Sequence, residues 1–112
     1  HQMINVEPFK AKLVGDPESR ETKNGTVCNM RVRQVDPGRA SVFIDVAAFS
    51  DNPAFGEDMI EKCQALKKGA VITVAGGLIY NEWESKPKGN AKPQKRSKHS
   101  VIAESITVVT AG

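Results

Sequence analysis

Aromatic side chains are scarce in this chain of 112 residues, which has four Phe, one Tyr and one Trp. Histidine is scarcer still: only His1 and His99 occur, and no carboxylate cluster, nucleophile motif or metal-ligand spacing accompanies either. An enzyme, a metal site and a bound cofactor are therefore not expected. No run approaches the roughly 18 apolar residues that span a bilayer, and no basic start leads into an apolar segment as in a signal peptide. The chain is read as cytoplasmic, without a membrane partner. Cysteine occurs twice, at Cys28 in a predicted strand and Cys63 in a predicted helix. Without metal spacing, these read as buried free thiols in a reducing compartment.

What is present fits a single domain over residues 1–112, long enough to bury roughly two-thirds of its unfolded surface without disulfides or metals. His1-Gln2 ahead of Met3 reads as a cloning remnant and stands outside the fold. The formal charge of +3 conceals an asymmetry. Residues 1–85 hold 10 basic and 12 acidic groups, residues 86–98 hold six basic groups and no acidic one, and residues 99–112 add only Glu104. A near-neutral body with one cationic segment points to a polyanion gripped locally, not to uniform coating of a duplex or membrane.

Taken in order, Phe9 to Val14 alternates, with Phe9, Ala11 and Leu13 predicted inward and Lys10 and Lys12 outward. Gly15-Asp16-Pro17 stops this first strand, and a polar segment ends in the turn-forming pair Asn24-Gly25. Thr26 to Val35 forms a second strand with Cys28, Met30 and Val32 on one face and Asn29, Arg31 and Arg33 on the other. Asp36-Pro37-Gly38 turns into the third. Then the period changes. Asn52 caps a helix with Pro53 at its first position, Met59, Ile60, Cys63 and Leu66 recur at helical spacing, and Lys67-Lys68-Gly69 closes it. Ala70 to Trp83 is a fourth strand, in which Gly76-Gly77 marks a bulge or bend, Tyr80 belongs to a core or interface, and Trp83 is exposed. Residues 84–98 lack periodicity and read as a flexible basic loop, before a fifth strand over Ser100 to Val109. The predicted fold is all-β: a five-stranded antiparallel Greek-key barrel of the OB type, with one α-helix between strands 3 and 4.

The third strand, Ser41 to Phe49, alternates strictly: Val42, Ile44, Val46 and Ala48 form one row and Phe43, Asp45, Ala47 and Phe49 the other. The first row is a core. The second carries two rings roughly 20 Å apart, at about 3.3 Å per residue. From this pattern alone two readings stand: the rings lie under a helix or in a subunit contact, or they form a surface that holds separate bases.

Several fragments together resemble the bacterial single-stranded DNA-binding protein family over Lys10 to Val109. They are Leu13-Val14-Gly15 followed by Asp16-Pro17-Glu18-Ser19-Arg20, with a few residues missing between; Asn24-Gly25; Cys28-Asn29-Met30; Leu66-Lys67-Lys68-Gly69; and Gly77-Leu78 followed by Trp83. The resemblance puts Phe43, Phe49 and Trp83 where family members stack aromatics on bases, the same three rings that strand parity selects. It implies single-stranded DNA as partner, a homo-oligomer with a tetramer favoured over a dimer, and work in replication, recombination and repair at the nucleoid, beside other replication or repair proteins. Stacking is indifferent to base identity. Phosphate neutralisation is expected from Lys10, Lys12, Arg31, Arg33 and the loop residues Lys86, Lys88, Lys92, Lys95, Arg96 and Lys98.

The chain also departs from the family pattern. Asp36 to Ala40 is short where the family has a long hairpin with another stacking aromatic, Ile79 and Asn81 stand where basic residues are common, and Asp45 between the two Phe would repel a phosphate above it. The sequence ends at Val109-Thr110-Ala111-Gly112 without the family's Gly/Gln-rich tail and acidic tip, so either a tail was cut away or this member resembles tail-less phage, plasmid or primosomal relatives. The alternative function is a primosomal-type OB interaction module that mainly docks replication proteins and binds single strands weakly.

Overall fold

The computed structural model of the protein describes residues 4–35, 42–51, 56–85, 89 and 92–111. The expected turn at Asp36-Pro37-Gly38, the helix start at Asn52-Pro53, and Lys86 and Lys88 lie outside them. Six strands and one helix follow in the order β1 (Ile4–Leu13), β2 (Glu18–Thr22), β3 (Gly25–Gln34), β4 (Phe43–Phe49), α1 (Gly56–Gln64), β5 (Val71–Ser85) and β6 (Gln94–Thr110). The sheet order is β1-β5-β6-β4-β3-β2, and β1 also pairs with β3 through Ala11↔Gln34, Lys12↔Arg33 and Leu13↔Val32. That second pairing closes β1, β3, β4, β6 and β5 into a ring, the five-stranded barrel expected, with β2 attached outside on β3. One pairing departs from the antiparallel expectation: β4 runs parallel to β6, with Asp45↔Ser100 and Ala47↔Ile102 in register.

The core collects the inward rows of these strands. Ala11, Leu13, Cys28, Met30, Val32, Val46, Ala48, Ile72, Val74, Val101 and Ala103 are almost wholly buried. The helix covers them with Met59, Ile60 and Cys63, followed by Leu66, the residues that share one face at a 3.6-residue period. Lys62 Nζ donates to the Ile106 carbonyl at 2.9 Å and ties the helix to β6. Val42 is the exception to the expected apolar row; it precedes β4 and is exposed, so the core row starts at Ile44.

Gly76 has a packing reason. A Cβ there would overlap the Ile102 carbonyl oxygen and lie 2.9 Å from its carbon and 3.1 Å from Ala103 Cα, and the β5–β6 register shifts between Ala75 and Gly76. The bulge read from Gly76-Gly77 is therefore a close approach of two backbones.

Four further expectations need correction. First, the polar segment before Asn24-Gly25 contains a strand, β2, every residue of which is exposed; backbone pairing with β3 holds it, so no apolar period announces it. Second, both ends of the expected basic loop at 84–98 are ribbon: β5 continues to Ser85 and β6 starts at Gln94, paired from Tyr80↔His99 to Ser85↔Gln94. Among the described side chains of this ribbon none is buried: Tyr80, Glu82, Glu84 and residues 94–99 are exposed and Ser85 is partly so, which leaves no apolar row to alternate. Third, of the two readings of Tyr80, core or interface, the core one fails: Tyr80 is 47% exposed because the ribbon has left the barrel by that point, its ring lies 4.9 Å from that of His99 and its hydroxyl donates to Glu82 Oε1 at 2.7 Å. Fourth, Cys28 and Cys63 are not free thiols but a disulfide between β3 and α1. The period of two in β3 and of 3.6 in α1 aim both at one core, and their Cα atoms stand 6.6 Å apart, within bridging range. The ground for a reducing compartment goes with the free thiols. No helix among the described residues is long and apolar enough to cross a membrane.

Candidate nucleic-acid interface

The outer face of β3 and β4 brings most of the expected residues together, because directly opposed residues of an antiparallel pair share a face. The register sets Arg33 opposite Phe43, Arg31 opposite Asp45, Asn29 opposite Ala47 and Val27 opposite Phe49. Barrel closure adds Lys12, which is exposed and stands opposite Arg33. On the other side of β4, β6 contributes Lys98, two residues before Ser100, which pairs with Asp45.

Phe43 opens β4, opposite Arg33, and is 52% exposed. The guanidinium carbon of Arg31 lies 5.8 Å from its ring centroid, a cation over the face of an aromatic ring. Asp45, which lies between the two Phe along β4, is flanked by cations: Arg31 Nη1 approaches Oδ1 at 3.5 Å and Lys98 Nζ approaches Oδ2 at 2.8 Å. Between this trio and Val14, Asp16 and Asn29 lies an open recess of about 480 Å³.

Phe49 ends the same strand and is half-buried. It borders a smaller recess of about 260 Å³ with Arg20, Thr22, Asn24 and Asp51. Arg20 has no counterpart among the expected residues because β2 had none; its pairing with Val27 carries it onto the row that ends at Phe49. The pair Thr22 and Asn24 shapes the nearby turn, with Thr22 Oγ1 donating to the Gly25 carbonyl at 2.8 Å.

The remaining basic residues divide. Arg96 lies on the same strand parity as Lys98, opposite Trp83 in the β5–β6 register; for Trp83 the backbone position alone is described. Lys95 has the opposite parity and pairs with Glu82 Oε2 at 3.3 Å. Lys92 is exposed just ahead of β6. Lys10 shares the strand parity of Lys12; it pairs with Thr73 of β5, and its carbonyl accepts from the Val35 N–H, one residue past β3, at 2.9 Å. Ile79, at a position where basic residues were expected of the family, is half-buried.

The fold and the residue pattern both have counterparts among known proteins. The model of the single-strand binding protein family matches residues 10–109. A single-stranded DNA-binding protein of Wolinella succinogenes is 34% identical over 87 residues, covering 78% of this chain and 48% of that protein. The chain thus spans about half the length of this curated relative. Among solved structures, the mitochondrial single-stranded DNA-binding protein of S. cerevisiae superposes with a TM-score of 0.72 at 12% identity over the whole of both chains. The small single-stranded DNA-binding protein of Streptomyces coelicolor does so with 0.65 at 18% identity, over 96% of this chain and 95% of its own. At such identities the structural likeness establishes the OB architecture alone.

Proposed function

The chain belongs to the single-strand binding protein family, and on that premise we propose that it binds single-stranded DNA without sequence preference, stacking bases on Phe43, Phe49 and Trp83. The observation that carries this reading is Phe43: a half-exposed phenyl ring at the start of β4, under the Arg31 guanidinium and opposite Arg33, which in turn stands opposite Lys12. An exposed ring still has apolar area to remove from water on binding, and a nucleobase presents a flat apolar face while its phosphate meets the nearby cations. Arg20, Lys12, Arg31, Arg33, Arg96 and Lys98, with Lys86, Lys88 and Lys92 from the connection, neutralise phosphates and release counterions.

The same reading includes a role in replication, recombination and repair, and assembly into a homo-oligomer, of which a tetramer is favoured. Ile4, Val108 and Val109 support the assembly as large apolar side chains left exposed on β1 and β6 of one copy. The decisive experiment is a titration of Trp83 fluorescence, Trp83 being the one tryptophan, with oligothymidine and with duplex of equal length at moderate salt. Quenching by the single strand alone is expected. Equal responses to both would replace stacking by plain electrostatics, and failure to bind either in a direct assay would leave the protein-docking alternative.

A further inference from the structure

The centre of the proposed interface contains an anion, and its position is not incidental. Asp45 lies midway along β4 between Phe43 and Phe49, and each of its oxygens meets a cation from a different strand, Arg31 of β3 and Lys98 of β6. The carboxylate side chain is 23% exposed, whereas those of Arg31 and Lys98 are 60% and 47% exposed. An incoming anion therefore reaches the cations from above while Asp45 already holds them from below.

We propose that Asp45 is a built-in competitor for the DNA phosphate, occupying Arg31 and Lys98 in the free protein so that the nucleic acid must displace it or tolerate its charge. This inference rests on the single-strand-binding reading above. The alternative role for such a carboxylate is to orient the two cations for phosphate, and the geometry argues against it. Arg31 meets Asp45 through one nitrogen at 3.5 Å, not through the two-pronged contact that would lock a guanidinium. Lys98 carries a compact charge on a flexible stem and needs no orientation to meet a phosphate. Exposed ion pairs are also weak, so exchange of the carboxylate for a phosphate is easy. Asp16 and Glu18 in the same recess add to the negative potential. The consequence is a strand held less tightly, and with a weaker response to salt, than the count of nearby basic groups implies.

The test is a cycle of Asp45→Asn, Arg31→Gln and the double variant, read as affinity for oligothymidine between low and moderate salt, with Phe43→Ala alongside. Asp45→Asn is expected to tighten binding about three- to tenfold and to steepen the logarithmic salt dependence by about 0.7, the increment of one further neutralised phosphate on a single strand. Arg31→Gln should cost less with Asp45 present than in the Asp45→Asn background. Weaker or unchanged binding by Asp45→Asn, or a larger cost of Arg31→Gln when Asp45 is present, would overturn the competitor role. Asp45→Ala removes the same charge by a different side chain and must shift affinity in the same direction. Wild-type protein that fails to bind oligothymidine would sink the underlying function as well. Wild-type binding that weakens in Phe43→Ala, beside a contrary Asp45 result, would sink the competitor alone.

Discussion

Replacing Phe43 by alanine removes the ring around which the interface is arranged while leaving the barrel almost untouched. A phenylalanine side chain has about 200 Å² to bury, and with Phe43 52% exposed in the free protein about half of that is open to a base. Covering about 100 Å² at ~25 cal/mol per Å² is worth about 2.5 kcal/mol, within the range of about 1–3 kcal/mol for one stacked base. The Arg31 cation over the ring contributes about 0.5–1 kcal/mol at an exposed site and is removed from the free and bound states alike, so it largely cancels. The expected loss is about 2 kcal/mol, or roughly thirtyfold in Kd for oligothymidine. Fluorescence anisotropy of a labelled oligomer measures it at fixed salt. Thermal unfolding should show the variant folded with a midpoint near that of the parent. Affinity within twofold of the parent, in a folded variant, would refute the reasoning and take Phe43 out of the interface.

Other parts of the structure make equally definite statements. Gly76→Ala places a methyl group against the Ile102 carbonyl, and since backbone cannot rotate aside, a loss of about 1–3 kcal/mol or more is expected in chemical denaturation; a parent-like midpoint would disprove the close approach. The Cys28–Cys63 bridge closes a loop of sequence separation 35, for which chain entropy predicts about 4 kcal/mol. A dithiol reductant should therefore lower the thermal midpoint of the parent but not that of Cys28→Ala/Cys63→Ala, and an insensitive parent would mean the thiols are unpaired. Replacement of Arg96 by glutamine should flatten the salt dependence by about 0.7, the share of one phosphate no longer neutralised, and replacement of Lys98, already held by Asp45, should flatten it less. The same change at Lys95, already paired with Glu82, should also flatten it less; an effect equal to that at Arg96 would show that the ribbon's two faces are equivalent.

Much of the fold is legible in the chain wherever burial imposes a period. The rows through Leu13, Met30, Val46 and Ile72, the helix face of Met59, Ile60 and Cys63, and the pair Gly76-Gly77 each announce a core or a close approach, because one side of each element must leave water. Phe43 is legible for the converse reason, as an aromatic on the row opposite a core. Illegible are the elements without a buried side. The exposed strand β2 and the ribbon of β5 and β6 are held by backbone pairing, and backbone groups are the same for every residue type. With β2 unseen, Arg20 has no place at the interface, and with the ribbon taken for a loop, Lys95 and Lys98 look equivalent.

By itself the sequence determined the class of fold and most of the core's membership, since both follow from which side chains avoid or tolerate water along one local period. Only the tertiary structure decided what meets what across the barrel: that Cys28 and Cys63 pair, that Lys12 joins Arg33, and that Asp45 is held between Arg31 and Lys98. Those partners are far apart in the chain. Their meeting depends on strand register and barrel closure, which no local spacing records.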